Sequence, residues 1–143
     1  ALVQWKHTNP SWLPEWFLEQ KIWKNGSFRG LPGGPGVAQG TARPITGPGD
    51  FSKIKQGDIV VTRATSPAWT QIFDRIGGIV VENGSRLSHA AITAREFGIP
   101  AVVGARGILQ SQPIQDHQTI NIDGTSGIIE LDGVNSKNSE TVE

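Results

Sequence analysis

The sequence predicts an α/β domain in which parallel strands are joined by crossover helices and flanked by β-rich ends. Three observations carry this. Between residues 57 and 104, short apolar runs alternate with stretches of helical spacing, in the order strand–helix–strand–helix–strand. Gly and Pro mark most of the junctions. The length of 143 residues, with 36% apolar side chains, suits one domain with a real core.

Residues 1–28 read as a Trp-rich leader, because Trp5, Trp12, Trp16 and Trp23 are four of the five tryptophans. Ser11-Trp12-Leu13-Pro14 has the form of a capped helix start, since Pro is tolerated in the first turn. Trp12, Leu13, Trp16, Phe17 and Trp23 then share one face, and Gly26 ends the helix. That face either docks on the domain's own core or meets a neighbouring domain. Across residues 29–50, seven glycines and four prolines resist a regular helix. Within that stretch, residues 36–43 alternate and have the small side chains of a tight β-pairing.

From Gly57 the pattern is regular. Residues 58–62 form a buried-strand run. Thr65-Ser66-Pro67 opens a short helix, with Ser66 as cap, Pro67 in the first position and Trp69, Ile72, Phe73 and Ile76 on its buried face. Gly77-Gly78 stops it. Residues 79–82 are a second strand, residues 88–97 a helix closed by Gly98, and residues 99–104 a third strand. Residues 119–123 and 128–131 form a hairpin around Gly124-Thr125-Ser126-Gly127. Residues 134–143 are a polar, mobile tail.

Sites in such sheets form at the carboxyl ends of strands, where the next helix begins. Two loops qualify, residues 63–66 and 83–89. The second contains Gly84-Ser85-Arg86-Leu87-Ser88-His89, and places His89 at a helix start. The free N–H groups and positive dipole end there favour an anion, phosphate above all. They also disfavour the imidazolium and help keep the ring nucleophilic. Ser85 and Ser88 add hydroxyl donors, Arg86 can pair with phosphoryl oxygens, and Ala90 and Ala91 leave little bulk. The pattern suits a histidine that holds a phosphoryl group as a phosphoramidate. It is equally legal for a plain capped helix with a polar first residue.

Other chemistries are excluded or weakened. Without Cys there is no disulfide scaffold, thiolate zinc site or thiol catalysis. His7, His89 and His117 lack metal-ligand spacing, so no metal site is expected. Ser88 and His89 are adjacent and diverge on a helix, and no Gly-x-Ser-x-Gly elbow exists. The glycines of residues 29–50 make no Walker loop. A formal net charge of +0 argues against a nucleic-acid partner or an electrostatic membrane anchor. No apolar run approaches the roughly 20 residues of a membrane span. The lack of Cys suits a cytoplasmic protein. The chain holds no Met and begins at Ala1, so a piece of something longer is expected.

The run Ser88-His89-Ala90-Ala91-Ile92-Thr93-Ala94-Arg95-Glu96-Phe97-Gly98-Ile99-Pro100-Ala101-Val102-Val103-Gly104 resembles the signature of the mobile domain of PEP-utilising enzymes. This is the swivelling phosphohistidine domain of phosphoenolpyruvate synthase and pyruvate phosphate dikinase. Residues 36–43, Gly57-Asp58-Ile59-Val60-Val61, Thr65-Ser66-Pro67, Ile79-Val80-Val81-Glu82 and the terminal hairpin agree in order. The resemblance covers residues 29–133 and is closer to the synthase branch.

The resemblance implies a swivelling β/β/α fold with mixed sheets. It implies that His89 takes phosphate from ATP on one domain and delivers it to pyruvate on another, with Thr65, Ser66, Ser85, Arg86 and Ser88 around the phosphate. ATP and Mg belong to other domains, and this domain binds no cofactor itself. Its partners are the nucleotide-binding and pyruvate/PEP-binding domains of the same chain. Related enzymes phosphorylate glucans or rifamycins. Flexible hinges are expected at Asn25-Gly26-Ser27 and over residues 133–139. Two positions depart from the family, Ser85 in place of a second glycine and Leu87 in place of a frequent Thr. They leave open a divergent acceptor or a non-catalytic binding or scaffold module that keeps the fold.

Overall fold

A computed structural model of the chain describes residue 23 and residues 25–132. Most of the Trp-rich leader, including its expected helix, and residues 133–143 lie outside the described residues. The elements run β1 (Ser27–Arg29), β2 (Leu31–Gly34), β3 (Val37–Pro44), β4 (Ile59–Thr62), β5 (Gly78–Val81), α1 (His89–Phe97), β6 (Ala101–Val103), α2 (Gln112–Gln115), β7 (Thr119–Asp123) and β8 (Ile128–Leu131). Short 3-10 helices cover Pro48–Lys53, Pro67–Ile72 and Ile108–Gln110.

The strands form one eight-stranded mixed sheet in the order β1-β8-β7-β3-β4-β5-β6-β2. β3 joins its two halves. Its first part pairs antiparallel with β7, from Val37↔Asp123 to Thr41↔Thr119. Its last part pairs parallel with β4, from Ala42↔Ile59 to Pro44↔Val61. β4, β5 and β6 are parallel, whereas β2 and β1 run antiparallel to β6 and β8.

Alternation along the parallel strands sorts the core into two. Ile59, Val61, Val80 and Val102 pack with Phe28, Ile120, Ile122 and Ile129. Val60, Ile79, Val81, Ala101 and Val103 pack with Trp69, Ile72, Phe73, Ala90, Ala91 and Ala94. The parallel strands are thus covered on both faces, by the antiparallel strands and by the helices. This β/β/α layering explains why those strands read as continuous apolar runs rather than as alternations. Where the layers meet, Gly124 donates its N–H to the Gly36 carbonyl at 2.8 Å, and a Cβ on it would strike the Gly34 carbonyl oxygen and the Ala101 backbone.

The α/β class, β3, the three parallel strands, α1 and the hairpin stand where the sequence placed them, within a residue or two. Gly98 ends α1 in the left-handed conformation, with φ 71°. Three features differ. The segment after Ser66 is a 3-10 helix rather than an α-helix: Trp69 N–H bonds the Ser66 carbonyl at 2.9 Å and Phe73 N–H the Thr70 carbonyl at 3.2 Å. With about three residues per turn, Trp69 and Ile72 stack on one side of it and meet the core. Ser66 makes no side-chain cap bond. The Gly/Pro-rich stretch also holds β2, and β1 begins at Ser27, two residues before Arg29. The expected hinge at Asn25-Gly26-Ser27 is tied into the sheet, because the Gly26 carbonyl accepts from Leu131 N–H at 2.8 Å and Ser27 pairs with Glu130.

Candidate phosphoryl-carrier site

The parallel strands bring three loops to one edge. Past β4 and β5 the pairing continues, with Glu82 N–H on the Thr62 carbonyl and Asn83 N–H on the Arg63 carbonyl, both at 2.9 Å. Ala105 N–H reaches the Val81 carbonyl at 3.1 Å, and the Glu82 carboxylate accepts Leu109 N–H at 3.0 Å. The loop after β4 and the loop before α1 are therefore side by side, and this proximity assembles the site.

The loop before α1 is held by its own serines. Gly84, with φ 103°, sits where a side chain is strained, and a Cβ there would also crowd Ser88 Oγ at 2.9 Å. Ser88 donates from both N–H (3.0 Å) and hydroxyl (2.7 Å) to the Ser85 carbonyl. Leu87 N–H donates to Ser85 Oγ at 3.2 Å. Ser88 is the N-cap residue by position but makes no side-chain cap bond. Its hydroxyl is spent on the loop, so it does not take up the first-turn amides of α1.

His89 is the first residue of α1 and is exposed. Its Nδ1 lies 3.0 Å from Thr65 Oγ1, and its Nε2 lies 3.4 Å from Thr93 Oγ1. Of the two residues expected from the β4 loop, Thr65 reaches the ring. Ser66 is exposed, and its carbonyl serves the 3-10 helix. Arg86 is exposed on the loop, and its carbonyl accepts from Arg95 Nη2 at 2.9 Å. Arg95 Nη1 also donates to the Gly33 carbonyl at 2.6 Å, clamping the loop to β2. Leu31, Ser85, Arg86, Leu87 and Arg95 line an adjacent open groove of about 590 Å³. Leu87, at the position departing from the family, is 82% exposed and offers no hydroxyl.

Two residues of this constellation were not singled out in the sequence. Thr93 stands four residues after His89, a spacing that puts both on one helix face; that spacing was the available signal. Arg95 gave none, since its partners are backbone carbonyls. Among the described residues, no group of three or more His, Cys, Asp or Glu could hold a metal ion. An exposed imidazole with a fixed Nδ1 partner, at a helix start whose cap side chain is turned away, can attack an electrophile and hold the resulting anionic group beside free backbone donors.

The family model described as "PEP-utilising enzyme, mobile domain" matches residues 54–127. The chain is 43% identical over 106 residues to the rifampicin phosphotransferase of Bacillus subtilis, covering 74% of this chain and 12% of that protein. It is 37% identical over 102 residues to a probable phosphoenolpyruvate synthase of Archaeoglobus fulgidus, covering 71% of this chain and 13% of that one. The chain thus spans about an eighth of the length of these relatives. Among solved structures it is similar in fold to the aconitase X of Thermococcus kodakaraensis, with TM-score 0.52 and 16% identity over 73% of this chain and 97% of that one. The match to the family model spans the parallel strands, both site loops and α1, and the chain belongs to the mobile-domain family of PEP-utilising enzymes.

Proposed function

We propose that the chain is a phosphoryl-carrier domain of a multidomain phosphotransferase, and that His89 is the residue that carries the group. The observation that carries this reading is the setting of His89. It is exposed at the first position of α1, its Nδ1 is held by Thr65 at 3.0 Å, and the helix start beside it lacks a side-chain cap. In the first half-reaction the Nε2 lone pair attacks the β-phosphorus of ATP, the P–N bond forms, and the bond to the AMP oxygen breaks with its electron pair leaving on AMP; water then takes the γ-phosphoryl group as inorganic phosphate, and the β-phosphoryl group stays on the ring. In the second, an acceptor oxygen attacks phosphorus and the P–N pair returns to the ring. Such transfer rests on positioning and charge stabilisation. First-turn amides, the Ser85 hydroxyl and Arg86 are the donors placed to meet the phosphoryl oxygens.

ATP with its Mg is assigned to a nucleotide-binding domain of the same chain, and the acceptor to another domain. Pyruvate is the acceptor we put forward. A rifamycin or glucan would use the same carrier chemistry, because the acceptor is chosen elsewhere. A cytoplasmic setting follows from the need for ATP. No helix among the described residues is long and apolar enough to cross a membrane. The test is to give the parent enzyme ATP labelled in its β-phosphate and map the label. Label on His89, lost in His89→Ala with turnover, is the expected result. Undiminished turnover in His89→Ala would instead make the chain a binding module that keeps the fold.

A further inference from the structure

We infer that Thr93 is a positioning residue which selects the tautomer of His89 that keeps the lone pair on Nε2, the atom that attacks. The inference rests on the reading of His89 as the phosphoryl acceptor. Thr93 lies one turn along α1 and is 8% exposed. A threonine in a helix commonly donates to the carbonyl one turn back. Here its Oγ1 has one hydrogen-bond partner among the described residues, His89 Nε2 at 3.4 Å.

That single partner decides the direction of the bond. A buried hydroxyl hydrogen needs an acceptor. If Nε2 carried the ring proton, the Thr93 hydrogen would face another hydrogen, with no other protein acceptor among the described residues. If the ring proton is on Nδ1, Nε2 accepts from Thr93, and Nδ1 donates to Thr65 Oγ1 at 3.0 Å. Thr65 is half-buried in a loop and can serve as donor or acceptor. Thr93 therefore breaks the symmetry between the two hydroxyls. The favoured form presents the Nε2 lone pair and keeps the proton where Thr65 stabilises it once the ring gains positive character.

The 3.4 Å bond is long. It yields when the Nε2 pair goes to the phosphorus of a nucleoside triphosphate and the leaving oxygen departs with the P–O pair. The freed Thr93 hydroxyl then turns to a phosphoryl oxygen, an acceptor newly present next to Nε2. Thr93 so favours first the nucleophilic tautomer and then the phosphorylated ring.

The experiment labels the histidine rings of the 143-residue chain with 15N and reads the tautomer of neutral His89 at about pH 9, well above ordinary imidazole titration. His89→Gln assigns its signals against those of His7 and His117. The expected result is a predominantly Nδ1–H ring in the unaltered chain. Thr93→Val should shift the ratio toward Nε2–H about fivefold, the worth of one net hydrogen bond. Thr93→Ser should restore it. Thr93→Ala takes the place of the valine variant if the latter does not fold. An Nε2–H ring in the unaltered chain, or a ratio unmoved in the folded valine or alanine variant, overturns the inference. Neither result touches the carrier reading, which fails separately if labelled ATP leaves no phosphate on His89.

Discussion

Thr65 and Thr46 illustrate two different uses of a single hydroxyl. Thr65 Oγ1 fixes His89 Nδ1 at 3.0 Å across two loops. Thr65→Val keeps the shape and removes the bond. Labelled phosphate on His89 should then form about tenfold more slowly, as expected for one hydrogen bond to a group gaining charge, with circular dichroism unchanged. At Asp50, the Thr46 hydroxyl, then its N–H, and then Lys53 hold the carboxyl down at about 2 from its ordinary 3.8. A depressed carboxyl adds stability above its unfolded value and loses it as pH falls toward the folded one. Thr46→Val should therefore raise the Asp50 titration midpoint toward 3.8, read by NMR, and reduce the acid-induced loss of stability.

At the scale of elements, close approach and buried charge set what can be changed. Gly124→Ala drives a methyl into the Gly34 carbonyl and Ala101. It should cost about 3 kcal/mol or more, the upper range for overpacking. Gly49→Ala, with nothing within 4 Å of the added Cβ, should stay within ~0.5 kcal/mol. Thermal melts of both test the contrast. Asp58 is buried at the start of β4, where its Oδ2 accepts from Arg43 Nε at 2.8 Å and Lys55 N–H at 2.9 Å. Asp58→Ala leaves Arg43 unpaired and should cost about 3 kcal/mol by denaturant titration. Legibility in the sequence also divides by element. β4, β5 and β6 were readable because layers on both faces demand continuous apolar runs. β1 and β2 were not, since Ser-Phe-Arg and Leu-Pro-Gly-Gly become strands only through β8 and β6. The 3-10 geometry after Ser66 was hidden because Trp69, Ile72 and Phe73 satisfy either helical period. In the site, His89 and Thr65 stood at loops that strand order already marks. Thr93 looked like an ordinary helix residue until the ring was seen beside it, and Arg95 acts through backbone carbonyls no sequence pattern reveals.

For the whole molecule, layering and function are linked. The parallel strands are fixed between the antiparallel strands and the helices, so the edge bearing His89 rests on a rigid base, while the ring itself faces outward. A carrier needs that combination, because its reacting atom must be accessible to separate donor and acceptor sites without rearrangement of its own support. Both site loops and α1 lie within residues 54–127, the part that matches the mobile-domain family. The most direct measurement of the central claim is the fate of β-labelled phosphate supplied as ATP to the parent enzyme. The account predicts acid-labile label on His89 at Nε2, chased into product by the acceptor and absent from His89→Ala. Label on another residue, or a folded His89→Ala enzyme that turns over at the parental rate, would contradict it.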